Sequence, residues 1–516
     1  MTLLRSVATL GFYTTISRVL GFVREILTAV YLGASPLTDV FFVALRLPNM
    51  FRSLFAEGAF AIAFVPLFAG KIAEAGTPEA KRFAEEALAL LLAALILFLI
   101  LGELCAPWIL DAIAPGFRAD PAKFALAVDL TRIMFPYLLF MALVALQGGV
   151  LNSLERFAAT AVTPVLLNIF LIAVLALVRP LTGPALAWAV TGAGLAQFLW
   201  LMVSCGRAGM ALSLPVPRLT PEVRRLLRVM LPGVFGAGVT QINLLVSTAI
   251  ASLLPTGSVS YLNYADRLNQ LPLAVIGIAV GTAILPPLSR QVRLKDDSGA
   301  AATQNRGLEL ALLLTLPAAV ALAVAALPIL SVLFQHGRFS AADARATAPA
   351  LAAYAAGLPA FVLIKVLAPG FFARHDMRTP VMIGLAAMLV NVALTIGLGL
   401  GTGLAHVGVA MATSVAGWVN ALLLGAILAR HGYFALDTRA RRNVPRIFLA
   451  ALGMGVLVVL LEYALSDVLL ARSLMERIAA LALLIGGGMA SFFALALALS
   501  AIDASDILRR LRRQIA

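Results

Sequence analysis

Charge is scarce in this 516-residue chain, where Asp, Glu, Lys and Arg together make up 12%. Soluble domains carry about 25%, so an ordinary soluble enzyme and a disordered protein are both excluded. Cysteine is nearly absent. Cys105 and Cys205 are too few for a disulfide scaffold and fit no metal spacing, so both read as small apolar residues. The four histidines (His336, His375, His406 and His431) are scattered near the ends of apolar runs, a pattern that does not build a metal site. No glycine-rich phosphate loop and no convergent Ser/His/Asp set is present. The chain is therefore expected to be no enzyme and to need no cofactor or metal.

What the chain does have is hydrocarbon. Hydrophobic residues make up 62% of it, and its mean hydropathy is +0.99. A membrane helix needs about 20 apolar residues. Apolar runs fall at 8–31, 37–68, 87–113, 124–152, 158–178, 183–205, 223–254, 258–286, 307–335, 344–372, 379–400, 404–429, 444–466 and 475–500. These predict an all-α polytopic membrane protein of about 14 transmembrane helices. The first run is interrupted by Arg18 and Arg24 and lacks a small-residue cleavage site, so it reads as a span and not as a cleaved signal peptide.

The formal net charge is +14. With a cytoplasmic N-terminus, the inner loops and both ends would hold about 25 Lys and Arg and the outer loops about 7. The densest clusters are Arg218 with Arg224, Arg225 and Arg228, then Arg290, Arg293, Lys295 and Arg306, then Arg439, Arg441, Arg442 and Arg446. Topology therefore explains the positive charge, and nucleic acid is not expected as a partner. Both termini are placed in the cytoplasm, and the tail with Arg509, Arg510, Arg512 and Arg513 reads as an amphipathic segment on the inner surface.

An internal repeat is visible. Val43-Ala44-Leu45-Arg46-Leu47-Pro48-Asn49 resembles Tyr264-Ala265-Asp266-Arg267-Leu268-Asn269-Gln270, and Ala63-Phe64-Val65-Pro66-Leu67 resembles Ala283-Ile284-Leu285-Pro286-Pro287. Pro164 to Asn168 lies near Met388 to Asn391 at a similar offset of about 220 residues. That offset spans six helices, so the halves are expected to be parallel six-helix lobes, as in one class of transporters. The organisation expected is a first lobe over 1–206, a second over 207–430, and two extra C-terminal helices with a basic tail over 431–516.

Ionisable residues cost at least about 2.5 kcal/mol at mid-bilayer and normally face a bundle interior or a wet cavity. Here Arg18, Arg24 and Glu25 fall in the first span and Asp39, Arg46, Arg52 and Glu57 in the second. Asp129 and Arg132 fall in the fourth, Asp266 and Arg267 in the eighth, Lys365 in the tenth. Arg18 and Arg24, like Arg46 and Arg52, are six residues apart, which separates them by about 120° around a helix. The simplest account is a positively charged, water-filled cavity lined by spans one, two and eight. Guanidinium stays charged and forks onto phosphate oxygens, so such a cavity invites a phosphate or diphosphate. The alternative is that the arginines form structural ion pairs with Glu25, Glu57, Asp39 and Asp266.

The stretches Ser17-Arg18-Val19-Leu20-Gly21-Phe22-Val23-Arg24-Glu25, Asp39-Val40-Phe41-Phe42-Val43-Ala44 and Leu47-Pro48-Asn49 through Arg52 and Glu57-Gly58-Ala59-Phe60 closely resemble the lipid II flippases of the MurJ/MviN group. Tyr264 to Leu268 resembles that family's eighth span, as does Leu285 to Ser289. Phe372 to Pro380 resembles its tenth-to-eleventh loop. The resemblance covers the whole chain. It implies a multidrug/oligosaccharidyl-lipid/polysaccharide exporter fold that works by alternating access in the bacterial cytoplasmic membrane. The implied cargo is lipid II, an undecaprenyl diphosphate bearing a disaccharide-pentapeptide, moved to the periplasmic leaflet for peptidoglycan synthesis. The resemblance assigns substrate binding to Arg18, Arg24, Arg52 and Arg267, with Glu25, Asp39, Arg46, Glu57 and Asp266 as supporting cavity residues. It assigns a groove for the lipid tail to spans thirteen and fourteen. Membrane lipids are implied partners, and other cell-wall synthesis proteins are candidates.

Two departures stand out. Gln270 occupies a place where the family often has an acid. The region comparable to a family sodium site offers only Gln241, Asn243, Ser247, Asn391 and Thr395. Neutral oxygens alone would hold sodium weakly, which argues against sodium coupling and leaves proton or potential coupling open. Three other readings were weighed. An exporter of another polyprenyl-diphosphate glycan would share the same chemistry. A drug or cation antiporter would want acids and aromatics where arginines stand. A non-transporting scaffold would leave the intramembrane arginines unexplained.

Overall fold

The computed structural model describes residues 3–55, 59–469 and 473–501. Among them the regular structure is helical throughout, with no strand. Two compact units divide the chain, Met1–Ser260 and Tyr261–Ala516. The division by sequence repeat, at 206/207 and 430/431, is a separate description and stands as a proposal.

The first unit holds α1 (Leu3–Leu32), α2 (Pro36–Phe55), α3 (Ala59–Ile113), α4 (Pro121–Met134), α5 (Pro136–Ser153), α6 (Phe157–Leu177), α7 (Gly183–Arg207) and α8 (Pro221–Ser252). Prolines mark three of its boundaries. Pro136 cannot donate a backbone hydrogen bond, and it separates α4 from α5 within one apolar run. Pro121 and Pro221 stand in the first turns of α4 and α8, beside caps from Asp120 and Thr220. Between the end of the run at 37–68 and the start of that at 87–113 two helical limbs, numbered together as α3, meet at a kink. Its one non-helical residue is Gly76, at φ +85°, a conformation that favours glycine. The two limbs meeting there are closed by Phe64 stacking on Phe83 at 5.6 Å. Gly149 of α5 admits that ring, since a Cβ at 149 would lie 2.8 Å from Phe64.

The second unit holds α9 (Ser258–Arg293, from Tyr261 onward), α10 (Asp297–Val324), α11 (Ala326–Leu333), α12 (Ala341–Phe372), α13 (Arg378–Gly401), α14 (Ala405–Arg430), α15 (Thr438–Ala464), α16 (Ser466–Leu469) and α17 (Leu474–Ala498). Its core joins Val280, Ile284 and Leu288 of α9 to Leu308 and Leu312 of α10 and to Val362 and Val366 of α12. Small residues bring α12 and α14 together. A Cβ at Gly357 would meet the Ser414 backbone at 2.9 Å, and the Ser414 hydroxyl donates to Ala353 O at 2.6 Å. Spans thirteen and fourteen are α15 and α17, which pack on each other, with α15 also on α10.

Among the described residues, the predicted apolar runs fall mainly on helix. Among the described residues, eleven helices are long and apolar enough to cross a bilayer, so a count of fourteen is not established. The three that fall short are α1, α2 and α8. Charges account for this in α1, with Arg18, Arg24 and Glu25, and in α2, with Asp39, Arg46 and Arg52, while in α8 the apolar part among the described residues is the short stretch Gln241–Ser252. The basic tail with Arg509 to Arg513 lies outside the described residues.

One buried charge organises the first unit. The Asp39 carboxylate, in the first turn of α2, accepts from Gly257 N at 2.8 Å, Ser260 N at 3.0 Å and the Ser260 hydroxyl at 2.7 Å. Lys123 of α4 completes it at 3.3 Å, and the two side chains are 2% and 10% exposed. Removing one partner of a buried pair typically costs about 3–5 kcal/mol. Asp39→Ala is therefore expected to lower the thermal midpoint in detergent by roughly 5 °C or more, with Asp39→Asn intermediate. A thermal scan of Asp39→Ala that overlays the wild-type scan would remove Asp39 as the organising charge.

Candidate functional site

Arg24 is held in place from two sides. Its Nη2 meets Glu25 Oε1 at 2.6 Å, and its Nη1 donates to Asn168 Oδ1 at 3.1 Å. Asn168, on α6, donates in turn to Ser17 O of α1 at 3.0 Å. One amide thus clasps α1 on both sides of Gly21, where a Cβ would lie 3.6 Å from Asn168 Nδ2. Glu25 is 5% exposed and Arg24 14%. Part of the Arg24 charge is therefore neutralised, and its guanidinium is oriented before any ligand arrives.

Arg18 differs. It is exposed, and it makes no hydrogen bond or ion pair among the described residues. The angular separation expected from the sequence is seen as a difference in surroundings, with one arginine against α6 and the other open. Arg46 is half-buried on α2, and its Nε donates to the Thr248 hydroxyl of α8 at 3.2 Å. Arg52, in the last turn of α2, is half-buried. Arg18, Arg24, Arg46 and Arg52 all belong to the first unit.

Arg267 and Asp266 belong to the second unit, on α9, and both are half-buried. Asp266 accepts from Gln270 Nε2 at 2.5 Å. Beyond them α9 and α12 enclose a cavity of about 360 Å³ that Asp266, Gln270 and Lys365 help to line.

Of the ion pairs expected from the sequence, Arg24 with Glu25 is realised. Asp39 pairs with Lys123 and backbone amides, and not with an arginine. Its carboxylate is occupied in joining α2 to α4 and to residues 257–260, because a buried carboxylate needs several donors at once. Glu57 lies outside the described residues. The neutral oxygens considered for sodium divide between the units. Gln241 Nε2 donates to the Ser53 hydroxyl at 3.2 Å in the first, and Asn391 Nδ2 to the Thr413 hydroxyl at 3.4 Å in the second. Among the described residues no three His, Cys, Asp or Glu side chains come together as metal ligands.

Sequence reasoning missed Asn168 and Lys123 as partners. A lone amide in the apolar run 158–178 was a usable signal, since an uncompensated amide is costly in hydrocarbon. Lys123 carried none, because its partner Asp39 is 84 residues away.

Comparison with known proteins places this geometry. A family model described as "Lipid II flippase MurJ" matches residues 28–499. A "Probable lipid II flippase MurJ" of Rhizobium meliloti strain 1021 is 46% identical, over 99% of this chain and 97% of its own length. A "Lipid II flippase MurJ" of Burkholderia cenocepacia is 39% identical, over 84% and 85%. Among solved structures, "Lipid II flippase MurJ, inward closed conformation" matches with a TM-score of 0.77 at 24% identity, over 94% of this chain and 97% of the other. A multidrug resistance MATE transporter of the MOP superfamily matches at 0.65 and 16% identity, over 83% and 98%. These last two likenesses speak to fold alone. The sequence matches, over nearly the whole chain, speak to descent, and this chain belongs to the lipid II flippase MurJ family.

Proposed function

We propose that this multi-pass membrane protein moves lipid II from the cytoplasmic to the periplasmic leaflet of the bacterial inner membrane by alternating access. Arg18, Arg24, Arg52 and Arg267 contact the diphosphate and its adjoining sugar. The observation that carries this reading is the contrast within α1. Arg24 is fixed by Glu25 and Asn168, while Arg18 stands open without an acid beside it. A guanidinium held in one orientation and a second left for a ligand suit a dianionic group better than a cation. The family's naming as lipid II flippases supplies the cargo. Glu25 and Asn168 act as positioning residues. Membrane lipids are its solvent, and other cell-wall synthesis proteins are candidate partners.

We also place both termini in the cytoplasm, on the asymmetry of Lys and Arg between alternate loops. Glu222, at the start of α8, lies on that side. The Lys71 ammonium hydrogen-bonded to it at 3.0 Å holds its carboxyl below the usual carboxylate range.

In bacteria depleted of their own lipid II flippase, the wild-type chain is expected to restore growth and lipid II labelling on the outer face. Arg18→Ala and Arg24→Ala should insert normally and reduce that labelling by roughly 10-fold or more, the scale of a lost charged hydrogen bond. Arg24→Lys should recover only part, since an ammonium lacks the fork that reaches both Glu25 and Asn168. Full rescue by Arg24→Ala would remove Arg24 from the binding set, and a well-expressed wild type that fails would remove lipid II as the cargo. Orientation has its own test. With Cys105 and Cys205 replaced, an impermeant thiol reagent added outside should label Arg338→Cys and spare Arg293→Cys, and the reverse pattern would invert the topology.

A further inference from the structure

The second unit contains a cation that the arginine set does not use. Lys365 lies in α12 within a strongly apolar span, where an ammonium carries a substantial penalty unless it reaches water or an anion. Its stem rests on two glycines of α9. A Cβ at Gly277 would lie 3.9 Å from Lys365 Cγ, and one at Gly281 3.5 Å from Lys365 Cβ. The stem thus packs on α9, and Lys365 lines the cavity. That ammonium makes no hydrogen bond, ion pair or ring contact among the described residues.

The cavity around it is about 360 Å³ and lies wholly within the second unit. Its polar lining is neutral except at the far end, where Asp266 is engaged by Gln270. Asn269 lines the wall at 2% exposure. Tyr354 and Thr413 complete a lining able to donate and accept.

A single ammonium set among amides and hydroxyls differs from a guanidinium cluster. It matches a monoanion on a hydrogen-bonding backbone better than it matches a diphosphate. The volume is at the small end of ligand sites, so only the end of a pentapeptide fits. We infer that this cavity receives the C-terminal end of the cargo's peptide, with its carboxylate on the Lys365 ammonium. This rests on lipid II being the cargo, and it makes the second unit the reader of the peptide. A cargo with a shortened or capped peptide is then bound less well.

The test uses the full chain in lipid nanodiscs and three synthetic undecaprenyl-diphosphate disaccharides. One carries no peptide, one the pentapeptide, and one the pentapeptide with its C-terminal carboxylate converted to an amide. Wild type is expected to bind the free pentapeptide form ~10-fold or more tighter than the other two, the scale of one charged hydrogen bond. Lys365→Met should bind all three alike, at the wild-type affinity for the peptide-free form, which also shows that the variant is folded. Lys365→Arg should keep the order. Equal binding of the free and amidated peptides by wild type, or an unchanged preference in Lys365→Met, would overturn the inference and leave the flippase reading standing. Binding of none of the three by wild type would overturn that reading, and the peptide site with it.

Discussion

Hydrocarbon offers no hydrogen bonds, and this one constraint governs the molecule. Backbone polar groups must be satisfied within the chain, so the apolar runs become helices. Charges must find partners inside the protein or a wet surface, so each intramembrane ion is conspicuous. Asp39 shows how completely such a demand can be met. Three donors from residues 257–260 and one from Lys123 surround a single carboxylate. The result joins α2, α4 and the start of α9 through one side chain.

The arginines obey the same constraint with a different outcome. Arg24 is partly compensated and oriented, whereas Arg18 is left open. Full compensation would remove the affinity for an anion, and none at all would make the empty site self-repulsive. The mixture is a compromise between holding a ligand and surviving without one. Lys365 carries the idea into the second unit, where one cation shares a polar cavity with a single acid, Asp266, that Gln270 engages.

Much of this was legible in the sequence, because hydropathy and helical period act locally. Among the described residues the apolar runs fall mainly on helix, and the charged positions of α1 and α2 stood out against their background. The misses were long-range or conformational. The helical limbs of α3 could not be read from a polar stretch such as Lys71 to Glu86, because a helix outside the bilayer needs no apolar run. The elbow at Gly76 depends on Phe64 meeting Phe83, a tertiary contact. Asp39 looked like a cavity acid until Lys123 and the amides of residues 257 and 260 were seen around it. The clasp of Arg24 by Asn168 joins residues 144 apart, which no local pattern encodes.

The elbow in α3 has a consequence for how α8 is attached. Beyond Gly76, the charged stretch of α3 supplies Glu86 to the Thr220 hydroxyl at 2.8 Å and Glu85 to Ser213 N at 2.8 Å, while Lys71 on the other limb meets Glu222. The Lys71–Glu222 pair is open to solvent, at 29% and 43% side-chain exposure, so dissolved ions screen it over about 8–10 Å at ordinary ionic strength. The far end of α8 leads into residues 257–260, which are bound to a carboxylate that solvent ions do not reach. The start of α8 therefore has one tie that salt weakens, beside the Thr220–Glu86 hydrogen bond, while its far end leads to a charge that salt does not reach.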